Sequence, residues 1–155
     1  MAFIVEDGSI VPNANAYITV AELKAYWADR NAAIFNPDFE TQAAIIIATQ
    51  YVDLNFDWRG ALSNDDQSLD WPRRGVIDNQ GRAYDSDDMP KQLKNAVAEY
   101  AKRQLDSPIQ PDVNPDVGGI TMLREKVDVI EQEVQYADGT TGYYGIKRYP
   151  LADNY

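Results

Sequence analysis

Hydrophobic positions recur at helical spacing in three stretches of the chain, which predicts a mainly α protein built on a three-helix core. The three helices are expected over residues 20–31, 38–55 and 90–106. The first has a clear start, because Thr19 can cap the free amides while Glu22, three residues later, reaches back. Pro108 lies just after the third helix and ends it.

The second helix is the expected centre of the fold. Pro37 suits its first helical position, with Asn36 as the cap before it. The three consecutive isoleucines also fit a strand, but the run of apolar and small residues is too long for one, so a helix is preferred. Apolar residues cover most of the helix circumference, which predicts packing on several sides. These residues are Ile45, Ile46, Ile47, Tyr51, Val52 and Leu54.

Between the second and third helices the helical periodicity gives way to loops. The sequence GVIDNQGRAY predicts a small hairpin near residues 75–84, turning at residues 79–81. A short helix is a further possibility after Ser63.

The order of these segments predicts three parts of unequal character. Residues 1–107 form a helical core with an N-terminal arm, in which residues 3–5 are a short strand or part of the arm. Residues 108–119, rich in proline and glycine, form a linker. Residues 120–155 form a β-rich arm and a C-terminal tail, because apolar and polar residues alternate there over short runs.

Composition narrows the chemistry of this 155-residue chain. It carries 25 acidic and 14 basic residues, a formal charge of -11, so its average field repels nucleic acids and anionic membranes. It has no cysteine and no histidine, which excludes disulfides, thiolate nucleophiles, Cys/His zinc sites and imidazole catalysis. We expect no enzyme, no catalytic residue and no cofactor. Without a signal-peptide pattern or an apolar segment of about 20 residues, we expect a soluble intracellular protein.

Acidic clusters raise the question of a cation site. Asp65 with Asp66, and Asp85 with Asp87 and Asp88, offer the oxygen ligands that hard cations prefer. Their spacing lacks the central glycine and the final glutamate of an EF-hand loop. Solvated carboxylates of loops and caps are the preferred interpretation, so no metal ligand is predicted.

An aromatic and basic group around the sequence LDWPRRG is the candidate interface. Two interpretations stay open: Arg73 and Arg74 touch an anionic partner, or they are surface charges beside a loop that Trp71 packs onto the core. In the first case the group stacks single-stranded bases or docks an acidic protein. The candidate interface residues are Trp58, Arg59, Trp71, Arg73 and Arg74, with Tyr149 and Tyr155 from the extended C-terminal run.

Five motifs in fixed order carry a family resemblance over nearly the whole chain. They are VEDGSIVPNANAYITVAE, AAIIIATQYVDLNFDWRG, LDWPRRGVIDNQG, MPKQLKNAVAEYA and REKVDVIEQEVQY. Together they resemble a tailed-phage family whose members carry the label DnaT-like single-stranded DNA-binding protein. The helical pattern of these proteins is similar to that of head-tail connector, or adaptor, proteins.

The resemblance implies a structural subunit of the virion neck, made in the cytoplasm of the bacterial host. Its implied partners are the portal protein, a tail-side stopper or tail completion protein, and further copies of itself in a dodecameric ring. Genomic duplex DNA would pass through the channel without specific binding, and no membrane is involved. The alternative is the family label itself, a single-stranded DNA-binding protein. A third possibility is a phage protein with another structural role.

Overall fold

The computed structural model describes residues 2–110 and two later strands, residues 120–126 and 131–136. Three α-helices, α1 (Val20–Ala28), α2 (Asp38–Asn55) and α3 (Lys91–Asp106), build the first part. Two short strands, β1 (Ala61–Leu62) and β2 (Arg73–Arg74), lie between α2 and α3. The chain divides after Ile109 into separate compact units. The predicted mainly helical fold is confirmed for the residues up to this point.

Helix α1 begins at the predicted capping box. The Thr19 hydroxyl accepts a hydrogen bond from the Glu22 N–H at 3.1 Å, and the Glu22 carboxylate accepts from the Thr19 N–H at 2.7 Å. The predicted end at residue 31 is wrong, because α1 stops at Ala28. The N–H groups of Arg30 and Asn31 then bond the carbonyls three residues earlier. Asn31 takes a left-handed φ of 54°, and a right-handed helix cannot continue through that conformation.

Helix α2 has the predicted bounds, and α3 begins one residue later than predicted. The predicted cap of α2 is wrong: Pro37 is the N-cap residue rather than the first helical residue, and no side chain caps this end. The Asn36 side chain instead donates to the Glu40 carboxylate at 3.1 Å. Pro90 occupies the same N-cap position before α3.

The core lies where α2 and α3 pack against each other, with α1 against both. The rings of Tyr51 and Tyr100 meet with centroids 4.6 Å apart. Helix α1 is fastened by hydrogen bonds to α3, from the Trp27 indole N–H to the Ala98 carbonyl at 3.0 Å and from the Tyr26 hydroxyl to Glu99 at 2.9 Å. Leu23, Ile45, Val52, Leu93 and Val97 fill the space between the three helices.

The N-terminal residues pack into this helical unit. Val5 pairs with Ala16 in a parallel bridge, and the Glu6 N–H donates to the Ala16 carbonyl at 2.8 Å. The Glu6 side chain is 2% exposed and accepts three backbone hydrogen bonds from the loop that follows. Gly8 lies so close to the Asp87 carbonyl that an added Cβ would meet its oxygen at 2.0 Å.

The predicted hairpin near residues 75–84 is confirmed. Ile77 and Ala83 form an antiparallel bridge, and the Asp78 carboxylate holds the turn by accepting from the Gln80 and Arg82 N–H groups, both at 2.8 Å. Strands β1 and β2 pair antiparallel just before it, a pairing too short to predict from periodicity. The short helix after Ser63 is wrong, because the backbone there turns around the side chain of Asn64.

After residue 110 the structure describes β3 (Ile120–Lys126) and β4 (Glu131–Tyr136), which pair antiparallel. The rest of the predicted linker and β-rich extension lies outside the described residues, together with Tyr149 and Tyr155.

Candidate functional site

Trp71 and Pro72 fix the loop of the candidate interface to the core, as one of the two interpretations predicts. Trp71 is 4% exposed and Pro72 is fully buried. The Trp71 ring meets Trp58 and Tyr84 edge to face, with centroids 5.8 and 6.3 Å apart. Among the described residues, the indole N–H groups of Trp58 and Trp71 have no hydrogen-bond partner, and the edge-to-face geometry suits N–H contacts with aromatic faces. A base cannot stack on Trp71 in this position.

Arg73 turns its guanidinium back onto the protein rather than outward. It donates to the carbonyls of Arg59 at 2.9 Å, Gly60 at 3.1 Å and Asp70 at 3.2 Å. Five fixed N–H donors make guanidinium the side chain suited to several carbonyls at once. Arg73 therefore links Arg59 and Gly60, which come just before β1, to Asp70 in the loop before β2.

A groove of about 400 Å³ lies beside this loop. Its sides are residues 57–59, the hairpin and the start of α3. Trp58, Trp71, Val76, Tyr84 and Leu93 contribute apolar surface, while Arg59, Arg82, Asp57 and Asp78 contribute two charges of each sign. The groove is therefore aromatic and nearly neutral, and it is large enough for one small planar group.

Three cations near the groove have no side-chain partner among residues 2–110: Arg59, Arg74 and Lys91. All three are exposed, Arg59 lines the groove, and Lys91 lies between two groove residues in the sequence. By contrast, Arg82 forms an ion pair with Asp78 at 2.7 Å. The candidate interface thus separates into Trp71 and Arg73, which are engaged within the fold, and the exposed Arg59 and Arg74. Its role as an interface stays a prediction.

A buried hydrogen-bond network, which the sequence did not predict, holds the same loop from the side of the core. The Tyr17 hydroxyl donates to the Asp53 carboxylate at 2.7 Å and accepts from the backbone N–H of Trp71 at 3.1 Å. The second Asp53 oxygen accepts from the Asp70 N–H at 3.4 Å. Burial raises the pKa of Asp53 to about 6, although the Tyr17 hydrogen bond opposes the shift. Burial and the Asp53 charge also raise the Tyr17 pKa, so its hydroxyl stays a donor.

The raised pKa of Asp53 predicts a pH-dependent contribution to stability. The folded protein holds the proton more tightly than the unfolded chain, whose carboxyl has the ordinary pKa of 3.8, so stability is lost progressively as the pH rises from about 3.8 through about 6. Asp53→Asn removes this cost. We expect the free energy of unfolding of the natural chain, relative to the variant, to fall by about 1 to 3 kcal/mol from pH 4 to pH 7. Urea titrations at both pH values measure it, and a constant difference contradicts the prediction.

Helix α2 carries an exposed apolar face, so the predicted packing on several sides is wrong. Phe39 is 70% exposed, Ile47 is 39% exposed and Leu54 is 80% exposed. Among residues 2–110, α1, α3 and the loops that contain Tyr17 and Asp70 contact α2, and the three side chains named above stay outside these contacts. The sequence did contain a signal for this surface. A helix that is apolar on all sides, in a chain with only three predicted helices, has more apolar surface than the other two can cover.

The described residues contain neither a metal site nor a membrane-spanning helix. No group of three or more acidic side chains there can hold a metal ion. Of the helices that the structure describes, none has the length and hydropathy needed to cross a membrane.

Comparison with known proteins identifies the family. The family described as "Putative DnaT-like ssDNA binding protein" matches residues 1–154, so the chain belongs to it. No curated protein and no solved structure matches the chain.

Proposed function

We propose that this DnaT-like family member is a head-tail connector subunit of a tailed phage, which assembles through protein contacts. One observation carries the proposal: of the five large apolar side chains exposed among residues 2–110, four lie on or just before α2, while Trp71 and Arg73 are engaged inside the fold. A monomer gains nothing from exposing Phe35, Phe39 and Leu54, whereas an assembly surface requires such side chains.

Charge supports the same proposal. The chain has a formal charge of -11, and most cations of residues 2–110 are engaged in ion pairs or in hydrogen bonds to carbonyls. A subunit that surrounds duplex DNA during its passage must not hold phosphates, because each neutralised phosphate adds affinity by counterion release. The proposed partners remain the portal protein, a tail-side stopper or completion protein, and further copies in a ring.

The test is the composition of the phage particle. We expect quantitative mass spectrometry of purified virions to find this chain in near-equal copy number with the portal protein. Particles assembled without its gene should contain packaged heads but few attached tails. Complete particles that lack the chain contradict the proposal.

Single-stranded DNA binding is the second candidate, and two observations favour it. The family description names this activity. In addition, Arg59 lines the groove and Lys91 is next to groove residues in the sequence; neither has a side-chain partner within residues 2–110, and Trp58 and Tyr84 line the same groove, so cations and aromatic rings are close together. Against it stand the net acidity and the size of the groove, which suits one base rather than a strand.

A charge-reversal pair of variants separates these functions. The first variant changes Arg59, Arg74 and Lys91 to glutamate; the matched control changes Lys24, Lys94 and Lys102, which are ion-paired elsewhere, and alters net charge equally. We expect no submicromolar binding of a labelled oligonucleotide by the natural chain at about 0.15 M salt. Submicromolar binding that the first variant loses and the control retains would establish the second candidate instead.

A further inference from the structure

The exposed face of α2 is a continuous strip without charge. It spans about 22 Å from Phe39 to Leu54, since each helical residue rises about 1.5 Å. Side chains at spacings of three and four residues share this face, opposite the buried one. The α2 strip consists of Phe39, Ala43, Ile46, Ile47, Gln50 and Leu54.

The charged residues of α2 and of the segments that flank it in sequence are acidic, and the one described ion pair to them joins Lys24 of α1 to Asp38 at 2.7 Å. The sequence has no lysine or arginine from residue 31 to residue 58. Exposed carboxylates of Glu40 and Asp57 lie near the two ends of the strip, and no basic residue occupies the last turn of α2. No side chain of α2 itself therefore compensates the partial negative charge of its C-terminus. A partner that complements this surface has apolar side chains for the strip and cations for the flanking carboxylates, and it has no carboxylate of its own.

One segment of this chain has that composition. Residues 143–151, with the sequence YYGIKRYPL, contain three tyrosines, an isoleucine, a leucine and a proline, together with Lys147 and Arg148 and no acidic residue. Nine extended residues reach about 30 Å, which exceeds the length of the α2 strip. Pairing two α2 strips instead would bring like charges together and supply no cation.

We propose that the α2 strip of one subunit binds residues 143–151 of a second copy. The inference rests on the proposed assembly function, because a closed ring requires a head-to-tail contact between different surfaces of neighbouring subunits. The apolar side chains of the segment cover the strip, while Lys147 and Arg148 lie near the C-terminal end of α2 and Asp57. Each subunit then gives one segment and receives one.

The absence of cysteine from the chain makes a direct test possible. Gln50→Cys, in the C-terminal half of the strip, and Gly145→Cys, at the third residue of the segment, are placed on separately tagged full-length chains and mixed under mild oxidation. We expect disulfide-linked heterodimers of this pair to form at least about tenfold faster than those of a control pair. In the control pair, Asp106→Cys at the exposed end of α3 replaces Gln50→Cys. Lys147→Glu with Arg148→Glu should remove this advantage, and Arg74→Glu with Lys91→Glu should leave it intact.

Three results would overturn the inference. The first is an equal rate for the Asp106→Cys control, and the second is faster linkage of two Gln50→Cys chains to each other, which indicates pairing of two strips. The third is linkage only within one chain when both cysteines are on it. These measurements need neither portal nor DNA, so their outcome is independent of the virion analysis. If the chain is absent from particles but its cysteines link rapidly, the connector function is overturned and the proposed contact between copies is still supported.

Discussion

Replacing Trp71 with alanine is expected to lower the free energy of unfolding by about 3 to 5 kcal/mol, the range for removing a buried aromatic side chain. Its ring is 4% exposed and touches Trp58 and Tyr84 edge to face. Neither neighbour can fill the cavity without giving up its own packing. Urea unfolding followed by far-UV circular dichroism measures the change.

The matched control for Trp71→Ala is Phe35→Ala. Phe35 is also aromatic but 91% exposed, so its removal should change the free energy of unfolding by less than about 0.5 kcal/mol. A loss below about 1 kcal/mol for Trp71→Ala would show that the loop is not fastened to the core by this ring.

The second large effect is expected at Glu6. Its carboxylate accepts from the N–H groups of Gly8 at 2.8 Å, Ile10 at 2.9 Å and Val11 at 2.8 Å. Glu6→Ala leaves these donors without an acceptor in a loop that packs into the core, and each hydrogen bond to a charged group contributes about 1.5 to 3 kcal/mol. Because water satisfies part of the loss, we expect about 3 to 5 kcal/mol in total.

Asp7 provides the control for Glu6 because it is the adjacent carboxylate with a similar task. It accepts from the Ser9 N–H at 3.0 Å and from the Ser9 hydroxyl at 2.6 Å, but it is exposed. Water replaces these hydrogen bonds, so Asp7→Ala should cost less than about 1 kcal/mol. Equal losses at Glu6 and Asp7 in denaturant titrations would contradict the structural role given to Glu6.

Local signals predicted the fold well where structure depends on neighbouring residues. The capping box at Thr19, the bounds of α2 and the turn of the hairpin follow from residues within a few positions of each other. The early end of α1 did not follow, because Asn31 takes a left-handed conformation that many residues near a helix end could have adopted instead. Periodicity also could not show which apolar face of α2 finds a partner.

The candidate site was predictable in composition but not in geometry. Packing of Trp71 onto the core was one of two interpretations that the sequence left open, and the sequence could not distinguish Arg73, which bonds backbone carbonyls, from the exposed Arg74. Arg73 bonds carbonyls that lie 13 and 14 residues before it, a contact that depends on the folded path of the chain. Asp53 was hidden for the same reason, since its partners Tyr17 and Asp70 come from distant segments.

The position of Arg73 changes how substitutions in this loop should be ranked. Lysine keeps the charge but offers one compact ammonium in place of a planar fork, so it cannot reach the carbonyls of Arg59, Gly60 and Asp70 together. At Arg74, whose side chain is exposed and has no partner among residues 2–110, lysine and glutamine should be tolerated equally by the fold. Adjacent arginines of identical charge therefore tolerate different substitutions: the fold requires the guanidinium shape at residue 73, and it places no such requirement on residue 74.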